Sequence, residues 1–190
     1  FKTTMGNFVV ELDDVKAPKT TANFLNYVNK GFYNGTIFHR VIPGFMAQGG
    51  GLTAGMIPAS SGYAPILNES SNGLTNLRGT IAMARTSDLN SATSQFYINY
   101  THNSSLDGSY AVFGKVVSGM AVVDQMANMP TQTLSSGYQN VPVTDITTVK
   151  AEQTQWGQWV SRTGLLSLSD LESKALWQFS LDGGTNWLTG

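Results

Sequence analysis

Short runs of alternating apolar and polar residues recur along most of the chain, as expected for β-strands with one buried face. The first run, residues 1–12, predicts a hairpin that turns at Met5-Gly6-Asn7. Further strands are predicted at about 79–85, 94–100, 111–117 and 143–154. Residues 49–78 are rich in glycine, serine and asparagine, which predicts a long surface excursion with short strand segments.

Two stretches follow the helical period instead. Pro18 opens the first, in which Ala22, Leu25 and Val28 recur at a spacing of three, and Gly31 closes it. We expect the apolar stripe of this helix to be buried against one end of the strands.

The second helix is predicted at about 118–128, before Pro130, with Met120, Val123 and Met126 on its buried side. Many short strands combined with only two helices favour an antiparallel barrel over a doubly wound parallel sheet.

The stretch 36–50 has the most informative pattern, an apolar strand that breaks at a Pro-Gly pair and resumes. Strand side chains alternate between two faces, so Arg40 and Ile42 share one side before the turn, and Met46 and Gln48 share one side after it. A fixed cation, an amide and apolar surface are therefore expected together. On these residues alone, an ordinary buried strand with one solvated arginine is an equally good explanation.

Composition narrows the classes of function. The chain has 190 residues, of which 41% are hydrophobic and only 12% charged, with a net charge of −1. This fits one domain, or one domain with a fragment of another, and gives no reason to expect nucleic acid or an anionic membrane as a partner. No run of about 18 apolar residues is present, so no membrane insertion is expected.

Cysteine is absent, which excludes thiol catalysis, disulfides and cysteine-based metal sites. A chain without thiols fits a cell-envelope or secreted setting. The sequence begins at Phe1 rather than at methionine, so a signal peptide would not be visible in it. We therefore expect a periplasmic or extracellular location, with the cytoplasm as the open alternative.

The two histidines, His39 and His102, are not spaced with acidic residues in the way that metal ligands are. His39 lies on the strand face opposite Arg40, where a core histidine bonded to the backbone is favoured over a catalytic one. No nucleophile elbow or phosphate-binding glycine motif is present. We expect neither a metal nor a cofactor.

The composition changes after about residue 150. All four tryptophans lie beyond this point: Trp156, Trp159, Trp177 and Trp187. We therefore divide the chain into residues 1–150 and a Trp-rich extension, residues 151–190, in which residues 175–189 predict a hairpin. The phrase W-x-F-S-x-D-G-G-x-x-W resembles a unit of the immunoglobulin-like repeats of large bacterial surface proteins. The alternative is a tail that packs on the barrel.

Four phrases in order, FHRVIPGFMAQGG, GTIAMAR, SATSQFYIN and LDGSYAVFGKVV, closely resemble the bacterial form of the cyclophilin family of peptidyl-prolyl cis/trans isomerases. The resemblance covers about residues 1–150. It implies a mainly β fold, a closed eight-stranded antiparallel barrel capped by two α-helices. It also implies isomerisation of X–Pro bonds in unfolded or flexible polypeptides, without a cofactor, by a chain that we expect to be monomeric.

The resemblance also implies residue roles, with Arg40 in the place of the catalytic arginine. The substrate-binding positions fall on Phe45, Met46, Gln48, Ala84, Arg85, Gln95, Tyr97, Leu106 and Tyr110. Gln48 matches a group that positions the arginine. At Ala84 and Arg85, the backbone is what meets the substrate peptide in the family.

This sequence departs from the family at four positions. Arg85 stands where asparagine is common and Tyr97 where phenylalanine is usual. Ser105 falls where the family has a loop tryptophan, and Tyr110 where eukaryotic members have a histidine. Because cyclosporin binding in the family depends on that tryptophan, weak or no cyclosporin A binding is implied. The alternative function is a non-catalytic proline-peptide-binding module of a larger bacterial surface or adhesion protein.

Overall fold

The computed structural model describes residues 1–60 and 62–154 and, beyond them, four short strands. The chain forms two compact units, Phe1–Glu152 and Gln153–Gly190. The first unit holds all of the predicted site residues. No helix in the described part is long and apolar enough to cross a membrane.

The first unit is mainly β with two helices, as predicted. Its strands are β1 (Lys2–Thr3), β2 (Gly6–Asn7), β3 (Val9–Leu12), β4 (Arg40–Ile42), β5 (Met46–Gly49), β6 (Leu52–Thr53), β7 (Ile57–Pro58), β8 (Thr80–Met83), β9 (Phe96–Asn99), β10 (Val112–Ser118), β11 (Thr131–Gln132), β12 (Val141–Pro142) and β13 (Thr148–Lys150). The helices are α1 (Pro18–Asn29) and α2 (Met120–Ala127), and one-turn 3-10 helices lie at Ala54–Met56 and Ser104–Leu106.

Six strands form one antiparallel sheet in the order β3-β10-β8-β9-β5-β4. Their side chains alternate between two faces, apart from register shifts in β10. The inner face belongs to the main core and includes Val41, Ala47, Ile81, Ile98 and Phe113, each 0% exposed. The outer face carries the intervening residues and is the face on which the predicted site lies.

A second sheet has the order β13-β1-β2, so the strand pairings form a six-stranded and a three-stranded sheet rather than one ring of eight. Backbone hydrogen bonds join the two sheets near β4. The Phe38 N–H donates to the Ile146 carbonyl at 2.9 Å, and the Thr148 N–H donates to the Thr36 carbonyl at 2.8 Å. At their other edges the two sheets are joined by the chain itself, because only Phe8 separates β2 of the three-stranded sheet from β3 of the six-stranded sheet.

The bounds predicted for α1 are confirmed, with Pro18 in its first turn, but of the predicted buried stripe only Val28 is buried. Ala22 is exposed and Leu25 only half-buried. The buried face instead comprises Thr20, Thr21, Asn23, Phe24, Tyr27 and Val28. Its polar members can be buried because distant partners satisfy them: Glu69 accepts from the Thr20 N–H and hydroxyl at 2.8 and 2.7 Å.

Helix α2 begins at Met120, not at Ser118 as predicted, and buries Val123 and Met126. Met120 is only half-buried. The residue before the helix, Gly119, has φ 79°, and a Cβ there would lie 2.3 Å from the Asn7 carbonyl oxygen. The close approach of β2 therefore requires glycine at this position.

The predicted closing strand, 143–154, is shorter in the structure and reduces to β13. In the second unit, β14 (Trp159–Ser161) pairs with β15 (Gly164–Leu166), and β16 (Gln178–Phe179) pairs antiparallel with β17 (Leu188–Thr189). The latter pairing agrees with the predicted hairpin at residues 175–189. The turn predicted at Asp182-Gly183-Gly184, and Trp177, Leu181 and Trp187, lie outside the described residues.

Candidate active site

Arg40, Gln48 and Tyr97 form a row across three strands on the outer face of the six-stranded sheet. Arg40 lies opposite Gln48 in the β4–β5 pair, and Gln48 lies opposite Tyr97 in the β5–β9 pair. Directly opposed residues share a face and bring their side chains close. The alternation predicted for residues 36–50 is thus confirmed, and register alone places the cation beside an amide and an aromatic ring.

A chain of polar contacts runs along one side of this row. The Arg40 guanidinium nitrogen Nη1 donates a long hydrogen bond, 3.5 Å, to Gln48 Oε1. Gln48 Nε2 donates to Gln95 Oε1 at 2.9 Å. A Cβ at Gly51 would lie 2.3 Å from Gln95 Cγ, so Gly51 makes room for this glutamine.

The predicted pocket residues belong to one apolar cluster that is separate from the main core. Its buried members are Met46, Ala82, Tyr97 and Val112, and the half-buried residues packed against them include Phe45, Ala84, Leu106 and Tyr110. Ser105, next to Leu106 in its 3-10 helix, is exposed. The cluster therefore forms an apolar patch beside the Arg40 row on the outer face of the sheet.

Tyr97 is held at the patch by Asn76, a residue that the sequence did not indicate. The Tyr97 hydroxyl donates to Asn76 Oδ1 at 2.7 Å, and Asn76 is 0% exposed. Asn76 in turn donates to Asp107 Oδ1 through its backbone N–H and Nδ2, at 2.6 and 3.1 Å. Burial raises the pKa of Tyr97 above its usual range, so the hydroxyl stays protonated and keeps this bond.

Arg85 and Tyr110 form the rim of the cluster. The Arg85 guanidinium carbon lies 4.5 Å from the centre of the Tyr110 ring, and Tyr110 meets Tyr97 edge-on at 6.0 Å between ring centres. The Ala84 N–H donates to the Gln95 carbonyl at 2.9 Å. The Arg85 backbone N–H has no hydrogen-bond partner among the described residues, which leaves it available to a bound peptide.

His39 is buried, at 6% exposure, as predicted for a core histidine. The pKa of His39 is lowered to about 4, mainly by burial. A hydrogen bond with the backbone of Ile37 raises this pKa, and the nearby charge of Arg40 lowers it. The imidazole is therefore neutral near pH 7. Its Nδ1 is buried and has no hydrogen-bond partner in the described part of the chain.

An open groove adjoins the Arg40 row, with an empty volume of about 770 Å³ that includes space open to solvent. Its lining residues are His39, Arg40, Gln48, Leu52, Gln95, Gly137, Tyr138 and Gln139. The last three come from the loop between β11 and β12, which the Val41 N–H anchors through a 2.9 Å bond to the Asn140 carbonyl. Sequence reasoning assigned no role to this loop because it lacks apolar periodicity.

The described residues contain no group of three or more His, Cys, Asp or Glu side chains that could hold a metal ion. What the arrangement offers is a fixed cation, hydrogen-bonding amides and an apolar patch. These elements can bind and polarise a neutral amide but supply no nucleophile.

Comparison with known proteins agrees with this chemistry. The model of the family "Cyclophilin type peptidyl-prolyl cis-trans isomerase/CLD" matches residues 1–152. Peptidyl-prolyl cis-trans isomerase A of Dickeya dadantii is 56% identical over 145 residues, which cover 74% of this chain and 75% of that protein. Peptidyl-prolyl cis-trans isomerase B of Escherichia coli is 49% identical over 154 residues, covering 77% and 93%.

The fold has solved counterparts. A cyclophilin-type isomerase of Cryptosporidium parvum, crystallised in the presence of the dipeptide Ala-Pro, superposes with a TM-score of 0.71 at 30% identity, covering 81% of this chain and 97% of that one. The chain belongs to the cyclophilin-type peptidyl-prolyl cis-trans isomerase family. It is an isomerase of peptidyl-prolyl bonds that assists protein folding, and the non-catalytic alternative finds no support.

Proposed function

We propose that Arg40 is the catalytic residue and that it acts by stabilising the twisted amide. The barrier to rotation of a peptide bond, about 18–20 kcal/mol, comes from amide resonance. Catalysis therefore requires groups that favour the twisted state over both planar states. A guanidinium aimed at the prolyl nitrogen or carbonyl does this, because it stabilises the electron pair that localises on rotation.

Phe45, Met46, Tyr97 and Leu106 form the proline pocket in this proposal. All four belong to the apolar cluster beside Arg40. An apolar pocket holds the ring and excludes the water that would otherwise compete for the guanidinium. Lowering the barrier by about 5–7 kcal/mol corresponds to roughly 10⁴–10⁵-fold acceleration.

Gln48, Gln95, Tyr110 and the backbone of Ala84 and Arg85 hold the peptide. The bond from Gln48 Nε2 to Gln95 Oε1 supports this assignment, because it fixes both amides next to Arg40. The Arg85 backbone N–H, which has no hydrogen-bond partner among the described residues, supports it as well. The Ala-Pro dipeptide used with the Cryptosporidium relative supports proline-containing polypeptides as the ligands of this chain.

The single observation that carries the mechanism is the row formed by Arg40, Gln48 and Tyr97 next to the apolar cluster. The test is NMR exchange spectroscopy on a short Ala-Pro peptide with the parent chain, Arg40→Ala and Arg78→Ala. We expect accelerated exchange with the parent and the Arg78 control, and about a 10²-fold loss with Arg40→Ala.

Binding shifts in the peptide spectrum separate the two roles of the site. If Arg40→Ala still binds the peptide but no longer accelerates exchange, the arginine acts on the transition state. Undiminished exchange in Arg40→Ala would refute its catalytic role.

We further propose that the two sheets close into an eight-stranded barrel capped by α1 and α2. The hydrogen bonds from Phe38 to Ile146 and from Thr148 to Thr36 support closure on one side, and the continuity of β2 with β3 supports it on the other. We also propose that residues 1–150 are the isomerase domain and residues 151–190 an extension. The complete absence of cysteine supports a periplasmic or extracellular location.

A further inference from the structure

The described part of the chain contains three arginines that differ in how their charge is neutralised. Arg78 forms a bidentate ion pair with Asp124, at 2.8 Å through Nη1 and 2.7 Å through Nη2. Arg40 and Arg85 have no carboxylate partner among the described residues. The candidate active site therefore contains two cationic groups without a carboxylate partner in the described part of the chain.

Arg85 is nevertheless held in a defined position. Its Nε and Nη2 atoms donate to the Ser109 carbonyl at 3.1 and 3.0 Å, and Nη1 donates to the Thr86 carbonyl at 2.9 Å. The guanidinium plane also contacts the Tyr110 ring. A guanidinium has five N–H groups, so these three bonds leave one N–H on each terminal nitrogen without a partner in the described part.

The acidic side chains closest along the chain are already engaged. Both carboxylate oxygens of Asp107 accept hydrogen bonds, one from Asn76 and the other from His102. Asp88 Oδ1 accepts from a backbone N–H in its own loop. Glu69 directs both oxygens to the first turn of α1. None of these carboxylates forms an ion pair with Arg85.

We propose that Arg85 makes this isomerase selective for proline-containing segments with an acidic residue close to the X–Pro bond. The proposal rests on the proposed function, because it takes Ala84 and Arg85 as the edge along which the substrate lies. A substrate carboxylate gains charge-assisted hydrogen bonds from the two remaining N–H groups. A substrate lysine or arginine instead meets a like charge that no carboxylate of the described residues offsets.

The expected effect is modest because Arg85 is half-exposed. Ion pairs at such positions change affinity by a few-fold and weaken as salt is added. We therefore expect kcat/KM to be about three- to tenfold higher for a glutamate peptide than for its lysine counterpart at low ionic strength. The ratio should shrink towards one at about 1 M salt, where charges are screened over roughly 3 Å.

The experiment uses the full chain and a matched set of proline peptides. Each peptide carries glutamate, glutamine or lysine either two residues before the proline or directly after it. NMR exchange gives kcat/KM for every peptide with the parent chain, Arg85→Gln, Arg85→Glu and Arg78→Gln. Because each variant is judged by its own glutamate-to-lysine ratio, a general loss of activity does not affect the reading.

We expect the ratio to exceed three at one of the two positions in the parent, to approach one in Arg85→Gln and to fall below one in Arg85→Glu. Arg78→Gln removes the same charge from an existing ion pair and should keep the parent ratio. A parent ratio of one at both positions, a preference that persists in Arg85→Glu, or an equal change in Arg78→Gln would overturn the proposal. Failure to isomerise any peptide, including the neutral glutamine ones, would instead overturn the proposed function.

Discussion

The two faces of the six-stranded sheet use the same strands for different purposes. On the inner face, Val41 and Phe113 are each 0% exposed and belong to the main hydrophobic core. On the outer face, Arg40, Gln48 and Tyr97 combine a charge, an amide and a hydrogen-bonded ring. Neighbouring residues in one strand therefore face either the core or the candidate active site.

This difference shows how a two-residue period separates stability from activity. Inner side chains contribute to stability through the apolar area that they bury, and this contribution is non-directional. Outer side chains contribute through directed contacts, which depend on the position of each donor and acceptor. Substitutions on the two faces should therefore affect different measurements.

The largest effect is expected on the inner face. Phe113→Ala should lower the free energy of unfolding by about 3–5 kcal/mol, because it removes a fully buried ring and leaves a cavity. Urea denaturation measures this loss, and kcat/KM per folded molecule should stay within about twofold. Val117→Ala on the same strand, where the side chain is 41% exposed, is the control and should cost less than about 1 kcal/mol. A large drop in kcat/KM of folded Phe113→Ala would contradict the assignment of stability to the inner face and activity to the outer face.

His39 should make the stability depend on pH. Its pKa is about 4 in the folded chain, below the value of about 6.5 expected when unfolded, so the unfolded state binds more protons between these values. The stabilising contribution is complete above about pH 6.5 and is lost as the pH falls towards 4, by about 3 kcal/mol. Urea denaturation across this range measures it. His39→Gln should flatten the dependence, and an unchanged slope in His39→Gln would refute the assignment.

Asn76 offers a test on the outer face. Asn76→Ala removes the acceptor of the buried Tyr97 hydroxyl and should cost about 1–3 kcal/mol of stability, with a raised KM because the pocket wall loses its anchor. Tyr97→Phe should be milder, because Asn76 Oδ1 still accepts from Asn99 Nδ2 at 3.3 Å.

A double-mutant cycle isolates the bond between Asn76 and Tyr97. The double variant should be more stable than the sum of the single effects predicts, by about 1 kcal/mol. Additive effects would show that the hydroxyl bond does not couple the two residues.

The smallest response is expected with cyclosporin A. Ser105 is exposed and presents no large side chain beside Leu106, so we expect no inhibition of the exchange reaction at nanomolar drug. Ser105→Trp should tighten inhibition by roughly tenfold by supplying an indole N–H and apolar area. Nanomolar inhibition of the parent chain would show that the drug does not need a tryptophan at position 105.

Several site features could be predicted from local pattern. The alternation around the Pro-Gly turn correctly placed Arg40 and Gln48 on one face, because strand geometry depends only on neighbouring residues. The same reasoning was only partly right for α1, where Val28 is buried but Ala22 is exposed and Leu25 is half-buried. Thr20 is buried there because Glu69, 49 residues away, accepts its hydrogen bonds, and no local pattern contains that partner.

Local sequence pattern was enough to predict the strand alternation, the bounds of α1 and, through the cyclophilin resemblance, the isomerase activity. These follow from backbone periodicity and from motifs that are continuous in the chain. Three other features emerged only from the folded structure: Asn76 anchors Tyr97, Gly51 makes room for Gln95, and Arg85 has no carboxylate partner among the described residues. Each of these depends on atoms brought together from distant segments, where a difference of one ångström decides whether a hydrogen bond or a steric clash results.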